Sequence, residues 1–275
     1  MDLNIILVLK AIIIAIVEGI TEFIPISSTG HMIIVGNIIN FKGEFANQFE
    51  VVIQLGAILA IIVLYWNKIW GSVVAFFQAK PSGIKFWTNI IVAVIPAAVF
   101  GLLLNDKIDE YLFNPGTVAL ALVVGGILMI IIEGKFRNKY TTKNIEQISI
   151  KQAFKIGCFQ CFALWPGMSR SASTIMGGWI CGVSTVAATE FSFFLAIPTM
   201  VGATALTLFK SGMNFSTGEI ITLVIGFVAA FLVALVVVEK FVSYLKKKPM
   251  KVFAIYRIIV GVALLLLINF GTISL

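Results

Sequence analysis

Charge is scarce in this 275-residue chain: Asp, Glu, Lys and Arg make up 12% of it, against 60% hydrophobic residues and a mean hydropathy of +1.05. Globular soluble domains carry about 25% charged residues, so this balance excludes one and places the chain in lipid. Cysteine is nearly as rare. Cys158 and Cys161 form a CxxC pair, but on an apolar stretch with no second pair to complete a zinc site, so packing is the reading that fits. Histidine occurs once, at His31. Carboxylates number 13 against 20 lysines and arginines; the resulting +7 needs no nucleic acid to explain it, because the lysines follow a topological pattern.

What is plentiful is apolar sequence. A bilayer core of about 30 Å needs about 20 apolar residues as helix, and hydropathy predicts six such spans, at 49–66, 87–104, 117–133, 191–209, 218–238 and 252–270. Two further apolar regions are interrupted. Ile5 to Ile39 is broken by Glu18, Glu22, Pro25 and the run Ser27 to His31; Phe154 to Val183 is broken by Gln160, Pro166-Gly167 and Ser169 to Ser171. Each reads as two short helices with an irregular turn, and such a turn survives at membrane depth only where protein or a wet cavity satisfies its backbone groups. The first region, with Asp2 and Lys10 misplaced for a charged leader, is expected to remain in the mature chain. The fold class is therefore an all-α integral membrane protein, with six transmembrane helices plus two re-entrant helical hairpins.

If each hairpin enters and leaves on one face, the loops at 67–86, 134–152 and 239–251 share a side. They carry Lys68, Lys80, Lys85; Lys135, Arg137, Lys139, Lys143, Lys151; and Lys240, Lys246, Lys247, Lys248, Lys251. The other side has only Lys42, Lys107 and Lys210. Positive charge marks the cytoplasmic face, so both termini are expected outside. The halves also repeat: Glu18 precedes Ser27 by nine residues as Gln160 precedes Ser169, a proline precedes each serine, and Gly30 matches Ala172. A span follows each copy, expected to start at Glu50 and at Glu190. Three crossings per half invert the second copy relative to the first, giving one polytopic domain of two inverted repeats, about 1–135 and 150–275, whose hairpin tips meet near the midplane.

Those tips hold the chemistry. Glu18 and Glu22, four apart, share a helix face at a depth where a charge costs about 2.5–3.5 kcal/mol or more. The pair calls for a divalent cation, Mg²⁺ or Ca²⁺, or a paired arginine, unless one carboxyl is protonated or capped. Ser27, Ser28 and Thr29 follow Pro25 as N-cap residues of the next helix, whose positive end suits an anion. His31, one turn on, is within reach as general acid, base or nucleophile. Arg170, between Ser169 and Ser171, can clamp phosphate oxygens or pair with Glu22 or Glu190. Arg257 is less telling, since it can snorkel or pair structurally. Carboxylates, hydroxyls, a histidine and an arginine buried together describe phosphoryl transfer on a substrate that itself lives in the membrane.

The stretches E-G-I-T-E-F-I-P-I-S-S-T-G-H at 18–31 and P-G-M-S-R-S-A-S-T at 166–174 resemble the two signature motifs of the bacterial undecaprenyl pyrophosphate phosphatases of the bacitracin-resistance (BacA) type, and the likeness extends to F-E-V-V-I-Q-L-G at 49–56 and E-F-S-F-F-L-A at 190–196. The resemblance implies hydrolysis of the C55 isoprenyl pyrophosphate to its monophosphate, which recycles the carrier lipid for peptidoglycan synthesis and lessens sensitivity to bacitracin. By position it implies an acidic motif at Glu18 and Glu22, a hydroxyl and histidine at Ser28 and His31, and an arginine motif at Ser169, Arg170 and Thr174. It also implies a bacterial plasma membrane and a site opening outward. The expected roles are then Ser28, His31, Glu22 and Arg170 in catalysis, with Ser28, His31 or water as nucleophile. Ser27, Thr29, Ser169, Ser171 and Thr174 contact substrate, and Glu18 and Glu22 hold metal. The expected partners are the isoprenyl pyrophosphate lipid and the bilayer, with a homodimer left open. The competing class is a transporter or flippase of a phosphorylated isoprenoid, for which half-helices meeting at the midplane would serve equally.

Overall fold

The computed structural model describes residues 4–212 and 215–270. Asp2 and the two chain ends whose side of the membrane was expected lie outside that range. Among the described residues the chain is helical throughout, with eleven α-helices, two 3₁₀ turns and no strand. In order they are α1 (Ile5–Thr21), α2 (Ser28–Ile39), α3 (Glu44–Leu64), α4 (Trp66–Phe77), α5 (Pro81–Leu112), α6 (Pro115–Phe136), α7 (Ile150–Gln160), α8 (Arg170–Ile180), α9 (Thr185–Ser211), α10 (Thr217–Leu245) and α11 (Lys251–Asn269).

Six of these, α3, α5, α6, α9, α10 and α11, are long and apolar enough to cross a bilayer, and they are the six that hydropathy predicts. Five of them run longer than hydropathy alone suggests, and in α6, α9 and α10 a polar capping residue, not an apolar one, starts the helix. Asn114 accepts from the Thr117 amide at 2.9 Å ahead of Pro115, Ser184 caps α9, and Ser216 forms a reciprocal capping box with Glu219. Glu50 and Glu190, expected to begin spans, consequently lie inside α3 and α9.

Both interrupted regions are two helices joined by a break: 22–27 between α1 and α2, and 161–169, which opens with a 3₁₀ turn, between α7 and α8. Helix α1 stops at Thr21, ahead of Pro25, as expected of a chain about to enter a proline-containing turn. The region 67–86, which hydropathy assigns to a loop, is instead largely helical. Helix α4 has no buried residue, exposes Trp66, Trp70 and Phe77, and sends Lys68 to Glu190 at 2.8 Å and Glu146 at 3.0 Å. Burial opposes the Lys68 charge, but those two carboxylates hold its ammonium above its ordinary range.

Helix α6 packs along α11, α3 along α10 and α9, α1 along α10, and α5 along α7. Several of these contacts are close enough to require glycine, those at Gly56 and Gly157 among them. A Cβ on Gly56 would run into the Phe227 carbonyl of α10, and one on Gly157 into the Ala93 carbonyl of α5. A core of Phe23, Ile175, Trp179 and Phe193 packs beside the two breaks, with the Phe23 and Phe193 rings edge to face at 5.4 Å. Outward-facing Leu103, Val252 and Ile259 stay exposed, as side chains solvated by lipid do.

Candidate active site

The two breaks begin their second helices identically. Ser27 and Ser169 both take positive φ, 73° and 70°, which non-glycine residues rarely adopt, and each accepts from the amide three residues on, Gly30 and Ala172, at 3.3 Å. The N-termini of α2 and α8, with their positive dipole ends, thereby border one cavity of about 890 Å³. Its polar end is lined by Glu22, Ser27, Ser28, Thr29, Ser169 and Arg170, joined by Gln54 and Gln160. Its apolar walls come from α5, including Val94, Ala98 and Leu102, and from α9 between Pro198 and Phe209.

Glu22 is the hub of the polar end. One carboxylate oxygen accepts from the Ser28 hydroxyl at 2.6 Å and the other from Arg170 Nη2 at 2.9 Å. Both are charge-assisted contacts in a buried setting, hence short. Arg170 thus pairs with Glu22, while Glu190, the other acid considered for it, is taken by Lys68. Arg170 also donates through Nη1 to the Ser192 carbonyl at 2.7 Å and hydroxyl at 3.1 Å, and its guanidinium lies 5.8 Å from the Phe23 ring centre. Its Nε has no partner.

The remaining expected residues stand behind this surface. His31 is held at both ring nitrogens: Nδ1 lies 2.7 Å from the Ser27 carbonyl and Nε2 2.8 Å from the Tyr256 hydroxyl. A carbonyl only accepts, so Nδ1 carries the proton and Nε2 accepts from Tyr256. Ser171 is fully buried and donates to the Ile24 carbonyl at 3.2 Å, tying one break to the other. Thr174 supports Arg170 from beneath, bonding Ser192 Oγ at 2.7 Å and the Arg170 carbonyl at 2.9 Å. Glu18 is wholly buried, and neither of its oxygens has a hydrogen-bond partner.

Hard oxygen donors of this kind suit Mg²⁺ or Ca²⁺. Among the described residues no group of three or more His, Cys, Asp or Glu is arranged as a metal site, so Glu18 and Glu22 could supply only part of a coordination shell.

Sequence reasoning missed Ser192, Tyr256 and the full role of Arg257. The Arg257 side chain is completely buried and donates to the carbonyls of Pro25 in the first break (3.4 Å), Gly167 in the second (2.9 Å) and Ala121 on α6 (3.3 Å). It closes both irregular turns at once, satisfying carbonyls that helices would otherwise satisfy. A buried arginine in a span was the available signal for it. Nothing in the sequence marked Tyr256, which meets His31 only through folding.

Residues 11–263 match the family described as bacitracin resistance protein BacA. The chain is 61% identical, over 98% of its length and 99% of the relative's, to the undecaprenyl-diphosphatase of Clostridium tetani (strain Massachusetts / E88). It is 57% identical to that of Clostridium novyi (strain NT), over 99% of both chains. With undecaprenyl-diphosphatase 2 of Clostridioides difficile (strain 630) it shares 54% identity over 97% of both chains.

Proposed function

The chain belongs to the bacitracin resistance protein BacA family, and on that premise we infer that it is a membrane-embedded phosphatase hydrolysing undecaprenyl pyrophosphate to undecaprenyl phosphate and inorganic phosphate, the activity for which its relatives are named. That reaction recycles the carrier lipid for peptidoglycan synthesis and lessens sensitivity to bacitracin. The observation that carries the reading is the cavity, whose hydroxyl-rich end, bordered by Arg170 and two helix N-termini, suits a pyrophosphate and whose apolar walls suit an isoprenyl chain. Transport of the same lipid is the less supported reading, because Ser28 is already hydrogen-bonded to a carboxylate base, an arrangement that carriage alone does not need.

In the mechanism proposed, Ser28 Oγ attacks the terminal phosphorus and passes its proton to Glu22 Oε2, 2.6 Å away. The bond to the bridging oxygen breaks, and isoprenyl monophosphate leaves with the electron pair. Water then attacks the phosphoserine, releasing phosphate and returning the proton to Ser28. Arg170 and the amide ends of α2 and α8 stabilise charge on the transferred group. Ser27, Thr29 and Ser169 contact the phosphates, while Ser171 and Thr174 hold that contact surface in place. His31 acts from behind, its Nδ1 proton fixing the Ser27 carbonyl and so the turn that presents Ser28. For His31 to move the proton itself, its ring would have to leave both partners. A divalent cation, Mg²⁺ or Ca²⁺, would be held by Glu18 and Glu22 together with phosphate oxygens and would neutralise pyrophosphate charge.

The two broken regions act as re-entrant hairpins in an inverted repeat. Supporting this, the α1–α10 and α3–α10 contacts are matched by α7–α5 and α9–α5, while α6–α11 and α3–α9 map onto themselves. The lysine-rich loops then face the cytoplasm of a bacterial cell, both termini face outward, and the site opens outward.

The experiment is phosphate release from long-chain isoprenyl pyrophosphate by detergent-purified protein, wild type beside E22Q. Release that falls by a factor of about 10³ or more in E22Q is expected when a general base is removed. Absence of release by folded wild type would overturn the reading in favour of transport.

A further inference from the structure

Gln160, a polar residue on the cavity wall, has no part in this mechanism. Gln160 closes α7, is 3% exposed, lines the cavity, and its Oε1 has no hydrogen-bond partner. A buried amide left unpartnered is costly, and folded proteins keep few of them without a use. Its place in the fold is also specific. Gln160 stands nine residues ahead of Ser169 as Glu18 stands nine ahead of Ser27, and the two serines cap their helices with the same unusual backbone. The position that is acidic in the first copy is a neutral amide in the second.

The electrostatics of the cavity give that difference a meaning. Glu22 already borders the polar end and Glu18 lies behind it, so a third carboxylate would repel a multiply charged anion. An amide adds no charge and carries two N–H donors, one of which it can offer to the cavity. We propose that Gln160 is a headgroup ligand, donating a hydrogen bond from its amide nitrogen to a phosphate oxygen of the pyrophosphate, opposite the hydroxyls of α2. The assignment rests on the phosphatase reading and adds a residue outside both signature motifs to the substrate's contacts.

The test compares wild type, Q160L and Q160E for phosphate release from long-chain isoprenyl pyrophosphate, with Tm measured on each. Loss of a ligand contact is expected to raise KM about tenfold in Q160L with kcat little changed. Because the leucine removes an unpartnered buried amide, Tm should hold or rise. Q160E should raise KM further, through repulsion. A wild-type KM in Q160L, or a KM rise matched by a lower Tm in both variants, would overturn the assignment and leave Gln160 a packing residue. If wild type releases no phosphate, the phosphatase reading falls separately. Gln160 is then decided by equilibrium binding of farnesyl pyrophosphate, where loss in Q160L upholds it and retention overturns it.

Discussion

Ser28, Glu22 and Arg170 form a chain of two short hydrogen bonds, and each link predicts a different loss. Ser28→Ala removes the attacking oxygen and should abolish turnover while leaving Glu22 paired to Arg170. A phosphoserine trapped on rapid acid quench of the wild type, absent in the variant, would confirm Ser28 as nucleophile; an acid-labile adduct would point to His31 instead. Arg170→Lys keeps the charge but loses the fork that reaches Glu22 and Ser192 together, so phosphate release should drop by about 10²-fold or more, as expected where planar bidentate geometry matters. Tyr256→Phe leaves His31 Nε2 without its donor but keeps the stacked ring, whose centre lies 5.5 Å from the imidazole. Its expected cost is small, about threefold in kcat, if His31 only positions Ser27. A loss as great as that of Ser28→Ala would show that His31 Nε2 takes part in proton transfer.

Between elements, the joints that hold the site are few and specific. Arg257 on α11 draws the Pro25 and Gly167 carbonyls toward one guanidinium, so Arg257→Met should strand those two buried carbonyls and destabilise the protein by about 3 kcal/mol, read as a fall in Tm. Gly157→Val would push α7 away from Ala93 on α5, with an expected cost of about 1–3 kcal/mol from overpacking. Helix α4 is tied down differently, by the ion pairs from Lys68 to Glu190 and Glu146. Periodicity concealed this helix because its largest apolar residues, Trp66, Trp70, Phe76 and Phe77, face outward and its single cation reads as loop charge.

For the molecule as a whole, the proposed inverted arrangement makes orientation measurable. With the native cysteines replaced, a cysteine at Lys247 should react with a membrane-impermeant thiol reagent only after the cells are opened, whereas one at Lys42 should react in intact cells. The reverse pattern would invert the topology and place the cavity toward the cytoplasm. Treatment with EDTA should likewise suppress phosphate release if Glu18 and Glu22 share a cation with the substrate, and Glu18→Gln should mimic it. Unchanged release in EDTA would leave Arg170 as the cation that serves the site.

Much of this protein was legible without coordinates because lipid imposes strong rules. Six spans, two interruptions and the duplicated glutamate or glutamine to serine spacing follow from hydropathy, proline and polar punctuation, since a bilayer forbids unsatisfied backbone and charge wherever protein does not answer it. The residue types of the site were legible for the same reason: ionisable groups at that depth need a purpose. Their roles were not. Which oxygen the Ser28 hydroxyl meets, that His31 turns away to Ser27 and Tyr256, and that Arg257 bridges both breaks depend on contacts between residues as many as 232 positions apart. Hydrogen bonds act over about 3 Å and in fixed directions, so only the packing of α1 on α2, of α7 on α8 and of α11 on α6 could decide them.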